Sequence, residues 1–232
     1  MPVDLPFEKF TKFSLTADAV VFTIIGNSLK VLLIKRGNAP FAGSYALPGG
    51  FLRDGETFEQ ACKRELEEET NVRDIFLKKL GVYDAVSRDP RGRVITTAFI
   101  AIIDSSNVKL IASTDAVGVE WFDIYHLPKL GFDHRHIIDD ALEELRYDIQ
   151  VSNIAMQLLG NRFTLSVLQS VYEVILNRKL DKRNFRKRLK ELGVLVPLNE
   201  TAMEGAHRPA QLYRFKSGKY ALLREKLQIF LS

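Results

Sequence analysis

One cysteine, Cys62, stands in 232 residues, so neither an internal disulfide framework nor a cysteine-rich zinc site can form, which suits a reducing compartment. Long apolar runs are also missing. The most apolar stretch, residues 19–25, is far too short to cross a bilayer. The opening residues carry Asp4 and Glu8 and lack the apolar centre of a signal peptide. There is no internal repeat and no low-complexity tract. These absences describe a soluble, cytoplasmic chain with no membrane partner.

What is present is enough for a real core: 46% of residues are hydrophobic and 27% charged, in a length that suits a medium domain plus a small one. The formal charge of +4 is an average over unlike halves. Residues 1–160 hold 18 basic and 23 acidic side chains, net −5, whereas residues 161–232 hold 15 and 6, net +9. Two modules with different partners are expected.

Residues 14–25 and 30–35 are rich in β-branched and apolar side chains and flank Gly26-Asn27-Ser28, the pattern of a hairpin. Residues 42–50, with Gly43, Pro48, Gly49 and Gly50, read as a loop. Residues 57–70 contain no Gly or Pro and read as a helix. Further strands are expected over 76–86, 93–103 and 117–122, with turns at 89–92 and 104–107. A second helix over 134–146 places Ile137, Ile138, Ala141, Leu142 and Leu145 at helical spacing. A first domain over 1–150, a helical linker over 151–160 and a second domain over 161–232 follow. In the second domain, Thr164 caps a helix through Leu176, and Asp181 caps another that Gly193 stops. Short strands over 194–198 and 211–215 around a polar loop complete the order of a winged helix-turn-helix.

The most informative segment runs Gly50, five residues, Glu56, seven residues, then Arg64-Glu65-Leu66-Glu67-Glu68-Glu69-Thr70-Asn71-Val72. On a helix Glu65, Glu68 and Glu69 share one face, where their repulsion must be offset. Mg²⁺ or Mn²⁺, which prefer oxygen ligands, would do so. Gly49 and Gly50 free the backbone to lend a carbonyl to the metal and to admit a phosphate closely. Glu56 adds a ligand or fixes the loop, and Arg64 orients a carboxylate. For the acidic run alone, a solvated helix face would be the simpler explanation; the whole spacing decides otherwise.

That spacing resembles the Nudix box, departing only at Asn71, where the family has Gly. Asn is the next-best residue for left-handed φ at a helix end. The resemblance implies an α/β (α+β) fold, a mixed sheet sandwiched by helices, that hydrolyses a nucleoside diphosphate linked to another moiety. It makes Arg64, Glu65, Glu68 and Glu69 catalytic, and Gly49, Glu56, Glu65, Glu68 and Glu69 the metal site. The box does not identify the general base; Asp115 and Glu120 are candidates, with a structural or substrate-contact role favoured for Glu120. Residues 87–96 and Phe132-Asp133-His134 resemble segments of ADP-ribose pyrophosphatases. ADP-ribose or a relative is therefore the expected ligand, met by Arg36, Gly50, Arg88, Arg91, Arg93, Phe132 and His134, with Phe41, Tyr45 or Phe132 available to stack on adenine.

Residues 178–190 hold eight basic side chains against Asp181 alone. Phe185, Leu189 and Leu192 pack one side of this helix and leave the basic side outward, as a recognition helix requires. Lys179, Lys182, Arg183, Arg186, Lys187 and Lys190 are the expected DNA contacts, with Arg208 on the loop 199–209 as a wing. Phe163-Thr164-Leu165, Phe185-Arg186-Lys187-Arg188 and Arg208-Pro209-Ala210-Gln211-Leu212-Tyr213 extend the resemblance to the Nudix-related regulators called NrtR. That family implies a homodimeric repressor of NAD-metabolism genes, with operator DNA and an ADP-ribose-like molecule as partners. Many members lose the box glutamates; this chain keeps them, which favours hydrolase activity. Two alternatives stand beside it: a Mg²⁺-dependent ADP-ribose pyrophosphatase with an accessory or dimerising tail, and a sugar-responsive regulator.

Overall fold

The computed structural model describes residues 12–73, 75–105, 110, 116–203 and 209–223. Strand β1 (Ser14–Ile25) alternates two sets of apolar side chains, and both are buried, so it must lie mid-sheet. It pairs antiparallel with β2 (Ser28–Arg36) across the expected hairpin, Phe22 opposite Val31. Two short strands follow, β3 (Tyr45–Ala46) on β2 and β4 (Gly49–Phe51) on β1. Residues 42–50 were expected to be all loop; the glycines that signal a loop here also let β4 press against β1. Helix α1 (Phe58–Thr70) comes next, then β5 (Leu77–Tyr83) and β6 (Val94–Ile102). Strand β6 runs parallel to β1, Ser14 opposite Val94, while β7 (Ala116–Asp123) runs antiparallel to β2. The sheet is therefore mixed, in the order β3-β2-β1-β6-β5 with β4 and β7 attached to β1 and β2.

Each face of the sheet carries a helix. Ala17, Ala19 and Val21 pack under α1 with Ala61, Cys62 and Leu66. Val20 and Phe22 point the other way, to Ile137, Ile138, Ala141 and Leu145 of α2 (His134–Val151). The box helix α1 starts in a capping box: Thr57 Oγ1 accepts from Gln60 N at 3.2 Å and Gln60 Oε1 from Thr57 N at 2.8 Å. It ends at Asn71, whose φ of 62° is left-handed and whose N–H donates to the Glu67 carbonyl. Because Asn tolerates that conformation, Asn71→Gly should leave stability within about 0.5 kcal/mol of the parent. Asn71→Val should cost about 1–2 kcal/mol in urea unfolding, since a β-branched side chain resists positive φ.

The second module is a winged helix. Strand β8 (Phe163–Thr164), helices α4 (Leu165–Leu176) and α5 (Lys182–Leu192), and strands β9 (Leu195–Ala202) and β10 (Ala210–Phe215) form it, with sheet order β8-β10-β9. Strand β9 is longer than expected and absorbs residues 199–202 from the anticipated wing loop; the loop's residues 204–208 lie outside the described set, as do Ser106 and Asn107 of the turn at 104–107.

Between the modules, only the short α3 (Met156–Leu159) is helical beyond α2. Ser152, Asn153, Ile154 and Ala155 are buried, and Leu145 and Ile149 of α2 share one apolar core with Leu168, Tyr172 and Ile175 of α4. The chain after β10 returns to this junction: Asn153 Nδ2 donates to the Lys219 carbonyl at 2.9 Å, Asn153 Oδ1 accepts from Ala221 N at 2.8 Å, and Tyr220 stacks on Phe76. The modules are thus joined by packing as well as by chain.

Candidate functional site

Arg64 organises the acidic face of α1. Its Nε and Nη2 donate to Glu56 at 2.6 and 2.9 Å, and its Nη1 donates to Glu65 at 2.6 Å and Glu68 at 3.3 Å. Glu56 also accepts from Arg53 N, and the Arg64 hydrogen bonds with this backbone donor hold its carboxyl down at about 2. Glu56 therefore serves here as the clasp that fixes the loop. Its two oxygens are committed, which favours the loop-fixing role over the ligand role among the two expected for it.

Glu69 is placed differently. It lies against Gly49, accepting from Gly49 N at 2.9 Å. Burial, followed by the neighbouring charges of Glu65 and Asp18, pushes it up to about 8 against the lowering effect of that N–H and of Arg36. Gly49 is required: its φ is 153°, and a Cβ there would run into the Ala17 backbone carbonyl and stand 2.6 Å from Asp18 Oδ1, whereas one on Gly50 would meet only the carboxylate end of Glu65. Among the described residues no three acidic, histidine or cysteine side chains already form a metal-holding group. The donor chemistry nevertheless fits a hard divalent cation: Glu65 and Glu69 are oxygen-bearing and close enough that the charge of Glu65 raises Glu69.

A cavity of about 430 Å³ opens beside these carboxylates, between β1, β2, the β4 loop and the start of α2. Phe132, which also lines the cavity, holds a left-handed φ of 56°, and Phe41 meets its ring edge-on. The guanidinium carbons of Arg36 and Arg91 lie 4.9 and 5.5 Å from the Phe132 ring centroid, and Arg91 also lies 5.1 Å from that of Phe51. Asp89, itself buried, grips Arg91 through Nε at 3.0 Å and Nη2 at 2.7 Å. Burial and then Arg91 lower the pKa of Arg36. Two like charges over one ring make a place for an anion.

Arg88 and His134 line the same cavity in more committed roles. The Arg88 side chain is 3% exposed and bidentate to Asp133, the residue before α2, at 2.9 Å twice. His134 Nδ1 accepts from Leu47 N at 2.9 Å, and burial lowers its pKa, so its ring is neutral with the proton on Nε2. Arg93 is a correction: its guanidinium bonds the Asp84 carbonyl and lies over Phe13, and these contacts hold it outside the cavity lining. Tyr45 also turns aside, onto Phe122 and Glu120. Glu120 accordingly sits off the cavity, and Asp115 lies outside the described residues.

In the winged helix, Asp181 caps α5, and Phe185 and Leu189 are buried, Phe185 edge-on to Tyr172. Lys182, Arg183, Arg186, Lys187 and Lys190 are all exposed on the other side. Lys179 precedes the helix; its side chain is exposed as well, and its ammonium bonds Glu173 at 2.9 Å. Arg208 lies outside the described residues.

The sequence reading missed Asp18, Asp89 and Asp133. Asp18 is the one charged side chain in β1, which was a usable signal; Asp89 and Asp133 show their role only once Arg91 and Arg88 are located.

The geometry defines a Nudix domain followed by a winged helix, and the comparison with known families agrees: the Nudix domain matches residues 15–141 and the NrtR DNA-binding winged helix domain residues 155–215. The chain is 32% identical over 210 residues to the ADPR-responsive transcriptional repressor NtrR of Acinetobacter baylyi, covering 89% of this chain and 83% of that one. Shewanella oneidensis NrtR, in its crystal structure complexed with a 27mer DNA, superposes with a TM-score of 0.76 at 35% identity, over 87% of this chain and 93% of that one. The ADP-ribose pyrophosphatase of Methanocaldococcus jannaschii is 50% identical over 119 residues, 51% of this chain and 69% of that one. This chain belongs to the NrtR family of Nudix-related regulators. No helix among the described residues is long and apolar enough to cross a membrane.

Proposed function

We propose that this chain is an operator-binding repressor whose Nudix cavity takes ADP-ribose and thereby changes its hold on DNA. The observation that carries the reading is the cavity itself, lined by Glu65 and Glu69 together with Arg36, Arg91 and Phe132, in a chain whose α5 exposes five basic side chains. Arginines suit a diphosphate and an aromatic ring suits a base. The names of the Acinetobacter and Shewanella relatives support the ligand and the DNA. Mobility-shift titration of the full chain on duplex DNA from its own promoter region tests it. Retardation at modest salt that ADP-ribose alters supports the reading; absence of retardation removes it.

Glu65, Glu68 and Glu69 would hold Mg²⁺ or Mn²⁺. A bound divalent cation neutralises phosphate oxygens and lowers the pKa of water. The chain's own part is to orient: Arg64 fixes Glu56, Glu65 and Glu68, Gly49 N–H fixes Glu69, and Arg91 presents a rigid fork. A two-fold dimer accompanies this reading, since winged-helix regulators read paired half-sites. Light scattering that returns a monomer would remove it.

The complete glutamate set and the 50% identical pyrophosphatase favour a second activity, cation-dependent ADP-ribose hydrolysis. Glu68→Gln should then lower turnover by at least about 10²-fold while leaving DNA retardation intact, as expected for loss of a charge that acts on the transition state. A sugar-responsive role is less suited to the cavity, because a neutral sugar leaves Arg36, which has no ion-pair partner among the described residues, without an anion. Thermal-shift titration of ADP-ribose against pentoses separates the two.

A further inference from the structure

Asp18 is a buried carboxylate that the reading above leaves unused. It comes from the middle of β1 and lines the cavity, and its side chain is only 9% exposed. Among the described residues no donor comes within hydrogen-bonding distance of its oxygens. Arg88 Nη2, which donates to Asp133, stands 3.7 Å away, and His134 Nε2 stands 4.0 Å away. Two residues earlier on the same face of β1, Thr16 also lines the cavity, and its Oγ1 is buried with no hydrogen-bond partner. Buried polar groups are nearly always satisfied, so a pair left open on one wall of a cavity points to a missing partner.

The chemistry of that partner follows from the groups. Asp18 accepts only, Thr16 both donates and accepts, and His134, bound through Nδ1 to Leu47 N–H, offers the Nε2 proton. Adjacent hydroxyls, each of which donates and accepts, complement this set. A cation does not, because Arg88 already supplies positive charge beside Asp18, and the Gly49 backbone lies between Asp18 and Glu69. We propose that Thr16, Asp18 and His134 form a subsite for the vicinal hydroxyls of a ribose joined to the diphosphate. This rests on the proposed ADP-ribose reading and deepens it. Asp18 then sets specificity: it makes the cavity prefer a ribosyl diphosphate over the diphosphate alone.

The test compares the full-length parent with Asp18→Asn and Thr16→Val by calorimetry, with ADP-ribose and with inorganic pyrophosphate as probes. Each variant should weaken ADP-ribose about tenfold or more without weakening pyrophosphate, as loss of a buried hydrogen bond to a hydroxyl predicts. Thr16→Val should also melt at the same temperature as the parent or higher when no ligand is present, because it removes an unpaired hydroxyl. Equal loss for both probes, or a lower melting temperature for Thr16→Val, would assign these residues a structural role and overturn the proposal. Altered Mg²⁺ binding with ADP-ribose affinity unchanged would make Asp18 a metal ligand and overturn it as well. If both variants bind ADP-ribose like the parent, the subsite falls and the ligand stands. If the parent itself binds pyrophosphate but no ADP-ribose, the ligand reading falls and takes the subsite with it.

Discussion

Replacing Lys182, Arg183, Arg186 and Lys187 together by alanine should lower the affinity of the full chain for duplex DNA by about 10²- to 10³-fold at moderate salt. Each lysine or arginine that neutralises a phosphate releases a counterion, and the logarithm of affinity falls with the logarithm of salt by about 0.9 per contact. Four lost contacts should therefore flatten the salt dependence by three to four such steps, and the flattening is the more diagnostic result. The substitutions leave the helix standing. Phe185 and Leu189 hold it to the core, Asp181 caps it, and the four side chains are exposed, so stability should move by no more than about 0.5 kcal/mol. ADP-ribose affinity should be unchanged, since none of the four lines the cavity. Retardation at several salt concentrations from about 50 to 200 mM covers the useful range. An unchanged slope would mean that α5 is not the face that meets DNA.

That this helix could be located from the sequence reflects how local its boundary signals are. Asp181 accepts from Asn184 N and Thr164 from Val167 N, each readable as a cap within a four-residue window, whereas Thr57, expected inside its helix, caps it by accepting from Gln60 N. Left-handed φ at Asn71 and Gly193 closes two of these helices in the same local way. Strands β3, β4 and β8 were not readable because two or three residues become strand only through a partner distant in sequence, as Gly50 does opposite Ala17. The glutamates of the box were legible as residue types at fixed spacing. Which of them Arg64 would engage was not, since that depends on the loop folding Glu56 back onto the helix. Three arginines around one turn looked equivalent in sequence. Carboxylates distinguish them: Asp133 holds Arg88 and the buried Asp89 holds Arg91, while Arg93 has only a carbonyl outside the cavity.

The joint between the modules was legible only as a change of pattern at residues 150–161; in the structure residues 152–155 are buried rather than exposed. Helix α2 has 18 residues, roughly 27 Å at 1.5 Å each. Its first residue, His134, lines the cavity, and near its far end Arg146 donates to the Ile175 carbonyl at the end of α4 at 3.3 Å and to Tyr125 Oη at 2.9 Å. Leu145 and Ile149 lie in the same core as Tyr172. One helix therefore touches both the cavity wall and the winged helix.

The charge on Glu69 leads to the second large effect. Without divalent cations, the chain should lose stability as pH rises from about 4.5 to about 8, and Glu69→Gln should remove most of that loss. Glu69 titrates at about 8 when folded, against an ordinary value of 4.5. Between those values the folded state binds more protons than the unfolded state, so unfolding becomes easier with rising pH; outside that window the slope vanishes. At about 1.36 kcal/mol per unit, full expression would approach 5 kcal/mol, and solvent reaching the open cavity reduces this to about 1–3 kcal/mol. His134 acts in the opposite sense. Its folded pKa lies below 6.5, so it contributes stability above that value which is lost as pH falls. The parent minus Glu69→Gln difference cancels this second contribution, and the amide oxygen still accepts from Gly49 N, so the backbone contact survives. Mg²⁺ or Mn²⁺ should flatten the parent's profile, because a cation beside Glu65 and Glu69 favours the ionised carboxylate. Urea unfolding at pH 5 to 8.5, with chelator and then with Mg²⁺, measures all three slopes. A Glu69→Gln slope equal to the parent's would show that the carboxylate is ionised at neutral pH without a metal, and that the cavity already supplies the positive charge it needs.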